Sequence, residues 1–191
     1  ERIRRASQHL LALVTDVLNF ARLDAGHLEY NLEDVEFATV LADLEPLIAQ
    51  QLAAKGITFE HHECAPESPD QPHFVRADPE KLRQILINLL TNAIKFTDAG
   101  GRVSLACNTD RDGGVVRIRV SDTGRGIAPD QLGRIFEPFV QVDRHSTPGS
   151  QQGVGLGLSI SRDLAHGMGG DLLVDSTVSA GSTFTLILPR R

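Results

Sequence analysis

The sequence predicts an α/β (α+β) sandwich: a mixed, largely antiparallel sheet with helices on one face, preceded by one long helix. Three observations carry this. RVSLACNT (102–109) and VVRIRVSD (115–122) alternate apolar and polar residues around DRDGG, the pattern of a β-hairpin. A helix over 79–96 opens on Asp78-Pro79-Glu80, an N-cap acid, a first-turn proline and an acid facing the helix dipole. After the first helix the elements run β-α-β-β-α-β-β-α-β-β, which packs most simply as a sheet with helices on one side.

Each element has its own signal. Residues 1–25 place Ile3, Ala6, Leu10, Leu13, Val17 and Phe20 at heptad spacing, with Leu11, Val14, Leu18 and Ala21 as a second stripe. A face that wide suits a multi-helix bundle, so a partner helix is implied. Gly26 follows as a stop, and HLEYNLEDVEF reads as extended. A helix over about 38–55 turns Leu41, Leu44, Leu47, Ile48 and Leu52 inward and ends at Gly56. ITFEH and HFVRA are short strands flanking the proline-rich loop CAPESPDQP. A glycine-rich stretch over 123–155 contains a short helical PDQLGRIF, a helix runs from about 155 to 168, and DLLVDST and STFTLILP close the chain as paired strands. The domain boundary falls near 26–30, giving 1–27 as the helix and 28–191 as the sheet domain.

The 191 residues are 41% hydrophobic and 23% charged, as in a globular protein, and no apolar run approaches a membrane span. No direct membrane contact and a cytoplasmic setting are expected. A net charge of −6 argues against nucleic acid, which wants a basic face. Cys64 and Cys107 lack CxxC spacing and read as reduced thiols. The absence of an initiator Met suggests a piece of a longer protein.

Four constellations bear chemistry. On the 79–96 helix, Lys81, Gln84, Asn88, Asn92 and Lys95 fall within an arc of roughly 80° at 100° per residue. That stripe reads either as a solvated face or as hard oxygens and an ammonium suited to a divalent cation on a phosphate chain. Asp122 ends a strand and is followed by Gly124 and Gly126, which puts a carboxylate beside a closely approachable backbone, or else makes a tight turn. Gly153, Gly155 and Gly157 lead into a helix N-terminus, an anion site or a plain flexible loop. Between them, RIFEPFVQVDRHSTPGSQQ (134–152) has Ile135, Phe136 and Phe139 as anchors and then a polar run holding Arg144 and His145, the composition of a hinged lid or of a surface loop.

Taken in order, NLLTNAIKFT, DTGRGI, FEPF, GVGLGLSI and GSTFTLILP resemble the N, G1, F, G2 and G3 boxes of sensor histidine kinases. The resemblance spans essentially the whole chain. It implies the Bergerat (GHKL) ATP-binding fold for 28–191 and the second helix of a dimerisation and phosphotransfer hairpin for 1–27. It further implies that Asn92, with Asn88, ligates Mg²⁺ on ATP, and that Lys95 contacts phosphate. By the same resemblance Asp122 would accept from the adenine amino group, with Gly124, Gly126 and Thr183 near the base and Ile127 among the ATP-binding residues. Gly153, Gly155 and Gly157 would cradle the phosphates, Val154, Leu156 and Leu158 would be ATP-binding beside them, and Phe136, Phe139 and Arg144 would contribute from the lid. Gln84 stands behind this set. Val154 departs from the usual small polar residue there.

The implied partners are a second copy through helix 1–25 and a response-regulator receiver domain. None of the seven histidines lies in a hairpin helix with an acid and then a Pro after it, the context of a phosphoacceptor, so the helix carrying that His is expected outside this chain. The chain should then bind ATP without phosphorylating itself. Rival readings are an ATP hydrolase of the same fold, an anti-sigma-factor-type serine kinase and a catalytically silent scaffold. The hydrolases use a Glu one turn before the metal Asn. Here that residue is Asn88, whose amide cannot take a proton from water.

Overall fold

A computed structural model describes residues 28–62, 74–109, 114–141 and 155–190. The long helix read over 1–25 lies outside them. The elements are β1 (Glu33–Glu36), α1 (Phe37–Lys55), β2 (Thr58–His62), β3 (Phe74–Ala77), α2 (Pro79–Phe96), β4 (Arg102–Thr109), β5 (Val115–Asp122), the one-turn α3 (Pro129–Leu132), α4 (Gly157–Gly167), β6 (Asp171–Thr177) and β7 (Gly181–Pro189).

Five strands form the main sheet in the order β2-β4-β5-β7-β6. Only β2 and β4 run parallel; the other neighbours are antiparallel. A separate antiparallel pair, β1 and β3, holds the chain just ahead of α2. One face of the sheet is apolar. Val103 and Leu105 on β4, Val116, Ile118 and Val120 on β5, and Phe184, Leu186 and Leu188 on β7 are all buried. Cross-strand partners on this face match side for side, with Val120 opposite Phe184 and Ile118 opposite Leu186.

The helices lie against that face, and α2 is the most deeply placed. Leu82, Ile85, Leu86, Leu89 and Leu90 are fully buried at 0% exposure, each burial worth roughly 1.5–3 kcal/mol before entropy is counted. Its start is fixed as the Asp78-Pro79-Glu80 signal requires. The Asp78 carboxylate accepts from the main-chain N–H groups of Glu80 (3.0 Å) and Lys81 (3.1 Å), and its second oxygen accepts from Asn31 N (3.0 Å).

On α1 the inward residues are Phe37, Val40, Leu41, Leu44, Ile48 and Leu52. Leu47, expected among them, is 55% exposed. It stands one step off the Leu44–Ile48 stripe, on the helix flank. Cys107 is buried on β4 and disulfide-bonded, with its partner outside the described residues, which corrects the reading of reduced thiols. Pairing depends on where strands bring two distant cysteines, which spacing alone does not convey.

Candidate nucleotide site

The polar stripe of α2 is half-buried along its length, not a solvated face. It looks toward the start of α4. Asn88 Nδ2 donates to the hydroxyl of Ser161, which is 2% exposed, at 2.8 Å. Asn88 Oδ1 accepts from Asn92 Nδ2 at 3.3 Å. Gly157 packs directly on this amide, where a Cβ would collide with Asn88 Oδ1. The contact explains why the first residue of α4 is a glycine. Asn92 Oδ1 is left without a hydrogen bond among the described residues, so one hard oxygen faces out of the network. That donor suits Mg²⁺ shared with phosphate oxygens. Among the described residues no cluster of three or more His, Cys, Asp or Glu could hold a metal without such help.

Lys95 and Phe96 end the helix. Lys95 Nζ lies 4.8 Å from the centre of the Phe96 ring, and Arg125 Cζ lies 4.7 Å from it. Burial lowers the Lys95 pKa below the ordinary lysine value, and the positive charge of Arg125 lowers it further. Two cations gathered at one aromatic ring suit an anionic ligand more than an empty surface.

Asp122, the last residue of β5, lies opposite Ser182 on β7. Its Oδ1 accepts from Gly124 N at 2.8 Å. Burial raises its pKa above the usual aspartate value, while the main-chain N–H groups of Gly124 and Ser182 pull it down. A Cβ on Gly124 would collide with the carbonyl oxygen of Phe96, so the turn after Asp122 sits directly on the end of α2. Gly126 follows with φ of 70°, and Ile127 N donates to Ser176 Oγ at 2.8 Å, tying the turn to β6.

The strand alternation revises one position. Asp122 is two residues beyond the inward Val120, and Ser182 is two before the inward Phe184, so the two share the helix-facing side. Thr183, expected beside the base, faces the other way, its hydroxyl 2.9 Å from Ser121 Oγ. Ser182 is buried and its hydroxyl lies 3.0 Å from Ser176 Oγ. Period-two counting back from Phe184 would have found it. Phe96, counted in the sequence as apolar cover, and Arg125 were not singled out as site residues. Ser161 carries no signal in sequence, since its role appears only when α4 meets α2.

In the FEPF region Ile135 is buried and Phe136 stacks under Arg162, whose Cζ is 4.8 Å from the ring centre. Phe139, read as an anchor, is 53% exposed, because the backbone turns there with φ of 65° and sends the side chain outward. Its N–H donates to Gly155 O at 2.9 Å, joining the two ends of the 142–154 segment. Leu156 is fully buried and Leu158 packs against the core, so these two anchor α4. Arg144, Gly153 and Val154 lie outside the described residues.

An Asn-bearing helix set against a strand-end carboxylate and glycine turns, all on one face of a mixed sheet, defines a nucleotide-binding class of fold. The family profile of histidine kinase-, DNA gyrase B-, and HSP90-like ATPases matches residues 77–191, and the chain belongs to that family. Sensor kinases are among its relatives. The autoinducer 2 sensor kinase/phosphatase LuxQ of Vibrio vulnificus is 36% identical over 188 residues, 96% of this chain and 21% of LuxQ. The crystal structure of full-length ShkA in complex with AMPPNP matches with a TM-score of 0.84 at 40% identity, covering 99% of this chain and 37% of ShkA. The catalytic domain of the histidine kinase ThkA matches with a TM-score of 0.70 at 25% identity, covering 85% of this chain and 99% of that domain. The chain spans about a fifth of the length of the curated relative.

Proposed function

We propose that residues 28–191 are the ATP-binding catalytic domain of a sensor protein-histidine kinase, which passes the γ-phosphoryl group of ATP to a histidine on another segment and thence to a response-regulator aspartate. One observation carries the reading: Asn88, Asn92 and Lys95 form a half-buried stripe facing the Gly157 helix start, and Phe96 at the end of that stripe abuts the Asp122 turn. The AMPPNP in the ShkA structure supports the same ligand here.

Each residue has a task. Asp122 accepts from the adenine amino group, and its main-chain donors keep the carboxylate aimed. Ser182 lines the same side. Lys95 meets the phosphates as a point charge, and burial strengthens that attraction. Asn92, with Asn88 behind it, offers the oxygen for Mg²⁺, which when bound would neutralise charge on the phosphate oxygens. The chain thus positions and neutralises. The P–O bond to ADP breaks as a P–N bond to the acceptor imidazole forms. Asn88 stands where a hydrolase needs a base, and its amide is already used by Ser161 and Asn92, so water is not activated.

In the full protein, helix 1–25 would pair two copies, and a receiver domain would take the phosphoryl group. A cytoplasmic setting fits, and no helix among the described residues is long and apolar enough to cross a membrane. The test supplies γ-labelled ATP and a separately produced phosphoacceptor hairpin to this chain. The expected product is acid-labile phosphate on the hairpin imidazole. Release of inorganic phosphate alone would point to a hydrolase.

A further inference from the structure

We propose that Lys55 is a positioning residue that fixes the phosphate-facing end of α2 by neutralising two helix C-termini at once; the inference rests on the reading of the α2 stripe as a nucleotide site. α1 and α2 end side by side. Each C-terminus leaves carbonyls without intrahelical partners and carries the negative end of a helix dipole, so bringing two together is unfavourable unless a cation lies between them. Lys55, the last residue of α1, supplies it. Its Nζ donates to the carbonyl oxygens of Ile94 (2.8 Å), Lys95 (2.8 Å) and Thr97 (2.9 Å), using all three donors of an ammonium.

The anchor is itself fixed. Gly56 ends α1 in the left-handed conformation, φ 60°, with Gly56 N bonded to Ala53 O and Ile57 N bonded to Leu52 O. The carbonyl of Lys55 accepts from Gly100 N at 3.2 Å, so the loop leaving α2 returns to the same residue.

The remaining carbonyls of the α2 end are also claimed. Ala93 O accepts from the Thr97 hydroxyl (2.6 Å) and Thr97 N (3.0 Å), and Phe96 O accepts from Arg125 N (3.4 Å). Every carbonyl from Ala93 to Thr97 therefore has a partner, and Lys55 alone holds three of them. One lysine grips the backbone of another, Lys95, whose own ammonium lies over the Phe96 ring. The Asp122 turn touches the α2 end at Phe96, whose carbonyl Lys55 does not hold, and has further ties to β7 and β6. Losing the Lys55 ammonium should therefore loosen Lys95 more than the base end of the pocket.

The experiment measures MgATP and adenosine affinity, by displacement of a fluorescent ATP analogue, for the intact chain and for K55M, K55R, K95M and K55M/K95M. K55M keeps the apolar stem and removes the charge. It should weaken MgATP about tenfold and adenosine less than twofold, whereas K55R, which keeps charge and several donors, should stay within threefold for both. In the K95M background, K55M should cost MgATP less than twofold, because the group it positions is already gone. Three outcomes overturn the proposal: MgATP affinity of K55M within twofold of wild type, equal losses for MgATP and adenosine, or an undiminished tenfold loss in the K95M background. If circular dichroism shows K55M unfolded, K55Q takes its place under the same criteria. A wild-type chain that binds no MgATP overturns the site reading and this inference with it, whereas normal wild-type binding with an indifferent K55M overturns this inference alone.

Discussion

Asn88 Nδ2 and Ser161 Oγ stand 2.8 Å apart and join the stripe of α2 to the buried side of α4. The bond spans 73 residues of sequence. It leaves the Asn88 oxygen to hold the Asn92 amide and so turns the Asn92 oxygen outward. Asn88→Ala should strand both partners, at a cost of about 1–3 kcal/mol. In a chain of this size that lowers Tm by about 2–4 °C per kcal/mol. Ser161→Ala should also destabilise, and the double variant should lose less than the sum of the two. Additive losses in thermal denaturation would mean that the bond does not couple the helices.

Asp122 trades stability for binding. Its pKa is raised in the fold, so its contribution to stability is complete below the unfolded value near 4 and is lost as pH rises through the folded value. Asp122→Asn removes that penalty. The variant should therefore melt above wild type at pH 7 without ligand, and the gap should close toward pH 4. The same change should weaken MgATP by about 10- to 100-fold, the worth of a hydrogen bond to a charged group. Unchanged affinity by calorimetry would break the assignment of Asp122 to the base.

Lys95 works in the opposite sense. Its folded pKa is lowered, so its contribution to stability is complete only above the unfolded value near 10.4 and is lost as pH falls through the folded value. A triphosphate supplies the missing counter-charge. MgATP affinity of the wild type should fall as pH is raised from 7 toward 10. Lys95→Met should bind about tenfold more weakly at pH 7 and show a flat profile. A variant profile as steep as that of the wild type would assign the pH dependence to another group.

Ser182 and Thr183 separate the two sides of β7. Ser182→Ala removes a hydroxyl from the side that Asp122 occupies, whereas Thr183→Ala removes one that pairs with Ser121 on the far side. Ser182→Ala should weaken adenosine several-fold and Thr183→Ala less than twofold. The reverse order in competition binding would restore Thr183 to the pocket.

Much of the fold was legible because its signals are local. The caps and periodicity of 79–96, the alternation of 102–109 and 115–122, and the strand read over 171–177 match α2, β4, β5 and β6 at their ends. What stayed hidden depends on how elements meet. Leu47 belongs by hydrophobicity to a stripe whose width only packing decides. Phe139 belongs by type to an anchor, but a positive φ turns it outward. Ser161 and Lys55 act on residues 73 and about 40 positions away, and no spacing in the sequence announces either contact.

In the proposed function this chain holds ATP through Asn92 and a divalent cation on the α2 stripe. Isothermal titration of the chain with ATP, with Mg²⁺ and with EDTA, tests it most directly, using Asn92→Ala as the comparison. The expected result is saturable binding that Mg²⁺ strengthens at least tenfold in the wild type and less than twofold in Asn92→Ala. No binding at millimolar ATP, or equal Mg²⁺ dependence in both proteins, would contradict it.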